Sequence, residues 1–169
     1  MNHDPITVLD RVSHAIQSSD LRMVEHRVGD ADYIAALGMA GINLKHASAI
    51  MRFKLGGGIE DLREALATTT LLTRQLNAKN RWHCQHAALQ VIAHNALSYY
   101  TNPVCPSCNG TKYKAVPGTG RLSATVCPSC NGTGRHVFKK HHDQIADVVA
   151  VIEQLEHKYA SAIKRMMKR

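Results

Sequence analysis

Long apolar runs are missing from this chain: no stretch approaches the roughly 18 residues that a membrane helix needs. Met1–Arg11 contains no apolar h-region, so no signal peptide is expected. The expected location is therefore the cytoplasm, where cysteines stay reduced and available to metal. The phosphate loop G-x-x-x-x-G-K-[ST], the nucleophile elbow G-x-S-x-G and the metalloprotease H-E-x-x-H are all lacking. Asp and Glu together number only 13 and lie scattered, so no paired-carboxylate site is visible. The eleven histidines, including His94 and His141-His142, follow no ligand spacing. These absences point to a non-enzyme.

What is present begins with folding capacity and charge. An apolar fraction of 44% over 169 residues argues against disorder and fits one domain, or a helical body carrying a small insert. Lys and Arg number 21, giving a net charge of +8. A soluble protein with that excess meets a polyanion, and nucleic acid is the leading class.

The most specific pattern is a pair of identical knuckles, CPSCNGT, at Cys105–Thr111 and Cys127–Thr133. Each C-x-x-C lets one tight turn aim two thiolates at one ion, and a tetrahedral zinc takes four. The 18 residues between Cys108 and Cys127 fall in the range for a closed all-cysteine site. Cys105, Cys108, Cys127 and Cys130 are thus expected to hold one structural Zn2+. Asn109-Gly110 and Asn131-Gly132 follow each second cysteine, and glycine permits the left-handed backbone that turns amides toward sulfur. With four thiolates there is no open position on the metal, so no water is activated. The fifth cysteine, Cys84 in WHCQH, does not share a helical face with both His83 and His86 and reads as a core or boundary residue.

The fold class expected is mainly α: a helical bundle body, an inserted two-knuckle, β-hairpin-like zinc module and a long C-terminal helix. The body covers 1–101, the insert 102–137 and the C-terminal helix 138–169, which packs back on the body. Asp4-Pro5 reads as a helix start, followed by Ile6, Leu9, Val12 and Ile16 at helical spacing, and 18–29 reads as a connection. Ala31–Leu55, interrupted by Gly38 and Gly41, suits two short helices across a glycine-containing turn, as in a helix-turn-helix. Gly56-Gly57-Gly58 reads as a flexible break. A helix is expected over Ile59–Leu76, weakened at Thr68-Thr69-Thr70, then a turn at Asn77–Asn80. Another is expected over Arg81–Tyr100 with Leu89, Ile92, Ala96 and Tyr99 inward, ended by Asn102-Pro103. The last helix, His142–Met167, carries the cleanest stripe: Ile145, Val148, Val149, Ile152, Leu155, Tyr159, Ile163 and Met166. Its cationic end suits a helix C-terminus and is a second place where nucleic acid could be met.

The insert is too poor in apolar residues to fold on burial alone, and metal supplies the missing stability. Around it gather Lys112, Lys114, Arg121, Arg135, Lys139 and Lys140, a candidate DNA-binding set on a rigid support. A second candidate surface is Asn43, Lys45, His46, Arg52 and Lys54 in the helix pair, where Asn and Arg are plausible base readers.

Two families use knuckles of this type. The cysteine-rich module of DnaJ-type co-chaperones repeats C-x-x-C-x-G-x-G four times, whereas here only Cys127–Gly134 is complete and no HPD-bearing J-domain is present. The chain more closely resembles the late-gene transcription antitermination protein Q family of lambdoid bacteriophages. It shares an Ala/Gly/Met-rich segment (Ala35–Met51), helices, a two-knuckle insert and a closing helical region. The resemblance implies a factor that binds double-stranded DNA at a late promoter and loads onto paused, sigma-containing bacterial RNA polymerase. It implies a modified RNA-exit channel, beside nascent RNA, that allows readthrough of terminators. No membrane is involved. The alternatives are a zinc-containing DNA-binding regulator that does not travel with polymerase, and a DnaJ-like module binding unfolded chains.

Overall fold

In the computed structural model, which describes residues 7–19 and 29–168, six helices and one two-stranded sheet form. Helix α1 (Val8–Gln17) starts where Thr7 and Asp10 cap each other: Thr7 Oγ1 accepts the Asp10 N–H at 3.1 Å, and the Asp10 carboxylate accepts the Thr7 N–H at 2.9 Å. The Thr7 hydroxyl, which donates to the Asp10 carboxylate at 2.6 Å, and then the Thr7 N–H hold the Asp10 carboxyl below its ordinary pKa. The start expected at Asp4-Pro5, and most of the expected 18–29 connection, lie outside the described residues. Val12 and Ala15 face inward, but Ile16 is 43% exposed and leaves the expected stripe.

The chain packs as two compact units, 1–68 with 151–169, and 69–150. The insert expected over 102–137 lies within the second unit. The expected body and C-terminal helix are each divided between the two, since the division falls inside α4 (Ile59–Asn80) and α6 (His142–Met166).

In the first unit, α2 (Asp30–Asn43) and α3 (Lys45–Lys54) are joined by Leu44 alone, with φ −124° and ψ 56°. The expected glycine-containing turn is therefore corrected: Gly38 and Gly41 sit inside α2, and the link is shorter than the three or four residues of a helix-turn-helix. Gly41 has a packing role instead. A Cβ there would lie 2.8 Å from Ser48 Oγ, so the missing side chain is what lets α3 approach. Ala36, Ala40, Ala47, Ala49, Ile50 and Met51 are buried, and Tyr159 of α6 donates its hydroxyl to the Leu37 carbonyl at 2.8 Å. Burial pushes the Tyr159 phenol pKa upward.

The glycine triplet is an ordered corner, not a flexible break. Gly56 takes φ +105° to end α3, and the Gly57 N–H donates to the Arg52 carbonyl at 2.9 Å. A Cβ on Gly57 would fall 2.7 Å from that carbonyl oxygen. Asp61 then fills the N-terminus of α4, accepting the Gly58 N–H at 3.1 Å and Arg52 Nε at 2.9 Å.

In the second unit the threonines of α4 form its inner face. Thr69 and Thr73 are fully buried, and the Thr73 hydroxyl donates to the Thr69 carbonyl at 2.8 Å, which removes the cost of burying it. Asn77–Asn80, expected as a turn, continues α4. The reversal comes later, at Arg81 (φ 54°) and His83 (φ 56°), where Asn77 Oδ1 accepts the Cys84 N–H at 3.1 Å. Helix α5 (His86–Thr101) consequently starts after Gln85 rather than at Arg81. Leu89, Ile92, Ala96 and Tyr100 are buried, Tyr99 is half-buried against Phe138, and Asn102 ends the helix as expected. Cys84 is half-buried at the boundary.

The stripe on α6 follows its periodicity. Ile145, Val148, Val149, Ile152, Tyr159 and Ile163 are buried, and Leu155 and Met166 half-buried. Among the described residues no helix is long and apolar enough to cross a membrane.

Candidate metal centre and basic ribbon

Each knuckle is closed by its own side chains. The Cys108 carbonyl accepts the Thr111 N–H at 3.0 Å and the Thr111 hydroxyl at 2.7 Å; the Cys130 carbonyl accepts the same pair from Thr133 at 3.0 and 2.8 Å. Asn109 and Gly110 adopt φ 46° and 80°, and Asn131 and Gly132 adopt 48° and 77°. Asn tolerates this left-handed region better than most residues, and glycine enters it freely. The knuckles then pair crosswise. The Cys105 N–H donates to the Gly134 carbonyl and the Cys127 N–H to the Lys112 carbonyl, both at 2.9 Å. The two halves are thus related by an approximate two-fold.

That exchange brings four sulfurs together. All lie within 4.8 Å of one another, all four cysteines are buried, and none is in a disulfide. Cys108 and Cys130 sulfurs are 3.8 Å apart, the edge of a tetrahedron with metal–sulfur bonds of about 2.3 Å. A disulfide would require about 2.05 Å, so the spacing fits shared ligation and not oxidation. Burial pushes the Cys130 thiol up, but hydrogen bonds outweigh it and lower its pKa to about 7. The donors are the Gly134 N–H, 3.4 Å from the sulfur, then the Cys127 and Cys108 thiols and the Gly132 N–H. The cluster can hold a metal ion, and its sulfur donors suit a soft or borderline cation.

The module has no other core. The buried cluster is the four cysteines themselves, and every residue from 111 to 126 is exposed except the half-buried Ser123. Between the knuckles runs one antiparallel ribbon, β1 (Tyr113–Ala115) with β2 (Leu122–Val126). Tyr113 opposes Val126 and Ala115 opposes Leu122. The register shifts between these pairs, where the Thr125 N–H bonds back to Ser123 Oγ at 3.2 Å. The turn is closed by the Val116 N–H on the Arg121 carbonyl at 2.8 Å.

Of the candidate DNA residues, Lys112, Lys114 and Arg121 lie exposed on or beside this ribbon. Arg135 follows the second knuckle, and Lys139 and Lys140 precede α6, all exposed. Asn43, Lys45 and His46 are exposed at the α2–α3 junction in the other unit. Arg52 departs from its expected role. Its guanidinium binds Asp61 at 2.9 Å, Ser48 Oγ at 3.0 Å and also Glu64, which raises its pKa further and leaves it an internal tie. The threonines that lock the knuckles went unassigned in the sequence, although their signal was there in the repeat, which extends to Thr111 and Thr133. No protein-family model and no curated protein matches the chain.

Proposed function

We propose that the chain is a phage transcription antitermination factor in which one zinc ion, bound by Cys105, Cys108, Cys127 and Cys130, stiffens a DNA-binding ribbon. The observation that carries this reading is a solvent-exposed basic ribbon set between two crosswise-paired knuckles. A two-stranded ribbon fits the major groove of B-DNA. Lys112, Lys114 and Arg121 lie along it, and Arg135, Lys139 and Lys140 extend the charge. The zinc is a structural cross-link with a closed ligand set, so the factor works by binding and not by catalysis. In this reading it engages late-promoter DNA in the host cytoplasm, then moves to paused sigma-containing RNA polymerase. There it narrows the exit channel around nascent RNA so that terminator hairpins fail to form.

Transcription in vitro across an intrinsic terminator, with and without the upstream late-promoter region, tests it. Readthrough that requires both the protein and that upstream DNA is the expected result. Promoter binding with no change at the terminator would sink the reading in favour of a regulator that stays on DNA. A third reading has an observation of its own: Tyr113, Leu122 and Val126 are 42%, 52% and 48% exposed, as in a surface for unfolded chains. Suppressed aggregation of a denatured test protein, with no readthrough, would select that one.

A further inference from the structure

The cations near the end of α6 gather around one groove. His157, Lys158, Ser161, Lys164, Arg165 and Lys168, together with Leu44, line a volume of about 650 Å³ that contains no carboxylate. His157, Lys158, Ser161, Lys164 and Arg165 share one face of α6, and Lys168 follows just past its end. Among the described residues none of the four charged side chains has an ion pair. Complementing the helix dipole accounts for Lys164 and Arg165 in the last turn. It does not account for Lys158, eight residues before Met166, because the effect fades within one turn. Four like charges around one groove repel in the free protein, and a bound polyanion removes that repulsion.

A second groove, of about 350 Å³, shares Leu44 and Arg165 with the first and includes Asn43. The exposed Asn43 therefore stands beside the cations, and Asn is a residue type that reads adenine edges in a duplex. No Phe, Tyr or Trp lines either groove, and the single imidazole of His157 is not the series of rings on which successive unpaired bases stack. From Lys158 to Arg165 the helix rises about 10 Å, room for roughly three phosphates of one strand.

We propose that this groove grips one phosphodiester strand of duplex DNA, with Asn43 at its border, as a contact separate from the zinc ribbon. The inference deepens the DNA-binding reading above, and the two can fail independently.

The test is fluorescence anisotropy of a labelled duplex titrated with zinc-loaded full-length protein at several salt concentrations. Each phosphate neutralised contributes about 0.9 to the slope of log affinity against log salt. The variant Lys158→Ala/Lys164→Ala/Lys168→Ala should reduce that slope by about 2 to 3 with far-ultraviolet circular dichroism unchanged. The single variant Lys158→Gln, outside the last turn, should reduce it by about 1, and covers the case where the triple variant misfolds. An unchanged slope in a folded variant overturns the proposal, as does an effect seen only with single-stranded RNA. The ribbon variant Lys112→Ala/Lys114→Ala/Arg121→Ala separates the two readings. Loss in the groove variant alone leaves this inference standing and removes the ribbon. Loss in the ribbon variant alone does the reverse.

Discussion

Residues 105–112 and 127–134 share seven letters, CPSCNGT, and differ at the eighth, where the first knuckle has Lys112 and the second Gly134. The backbone barely registers the difference: Lys112 sits at φ 71° and Gly134 at φ 76°. Both carbonyls accept an N–H from the first cysteine of the opposite knuckle at 2.9 Å. The surroundings do register it. Gly134 is buried, and a Cβ there would meet the Gly110 carbonyl oxygen at 2.9 Å and Lys112 Cγ at 3.2 Å, whereas Lys112 is exposed and carries a full side chain. Crosswise pairing demands a left-handed residue at both positions, but close packing demands glycine at only one.

The largest effect should come from breaking both halves at once through the metal. Cys127→Ser removes one of four ligands, and structural zinc contributes apparent folding free energies of about 10–16 kcal/mol in small metal-folded peptides. The cysteines are the only buried cluster in the module, so without metal it keeps only backbone and threonine hydrogen bonds. Zinc content by native mass spectrometry should fall, and hydrogen exchange across 105–135 should become fast while α1 to α3 keep their protection. Cys105→Ser should match it, since each ligand pair contributes equally to an approximate two-fold. A metal content unchanged in either variant refutes the four-cysteine assignment.

Gly134→Ala is the intermediate case and tests the asymmetry directly. It combines a left-handed backbone with a close approach to the Gly110 oxygen, and strain of this kind costs about 1–3 kcal/mol. The chelator concentration that unfolds the module should drop, with zinc stoichiometry intact. Equal tolerance of Ala at 134 and of Lys at 112 would show that the knuckles are packed alike after all.

The metal site was legible because ligand spacing is a local, discrete signal that four residues satisfy or do not. The α6 stripe was legible for a related reason: Ile145 to Ile163 repeats one period without competition from turn chemistry. The misplaced boundaries have side-chain causes that periodicity does not carry. The turn at 81–85 exists because Asn77 Oδ1 reaches forward to the Cys84 N–H, and Asn77 had been expected to be in the turn itself. The break at Leu44 holds no glycine or proline, while the glycines that suggested a turn serve packing at Ser48 instead. Arg52 looked available to DNA because Asp61 and Glu64 lie nine and twelve residues away, beyond any helical pairing rule. The crosswise exchange of backbone bonds between knuckles, which sets the two-fold, leaves no trace in composition at all.

The smallest effect, and the sharpest for the comparison, is Lys112→Gly. It makes the two knuckles identical over eight residues. A non-glycine residue in the left-handed region loses about 1 kcal/mol, and glycine recovers this while adding roughly 0.5–1 kcal/mol of unfolded-chain entropy. The two nearly cancel, so stability should change by less than about 1 kcal/mol, read from chelator or thermal unfolding. Binding should not cancel. If Lys112 meets a phosphate, the salt slope of DNA affinity should fall by about 0.9 with zinc retained. A large loss of stability would mean that the Lys112 stem, packed beside Gly134, supports the module. Unchanged stability with a reduced slope would mean that the first knuckle accepts backbone strain to place a cation where the second needs only to close the site.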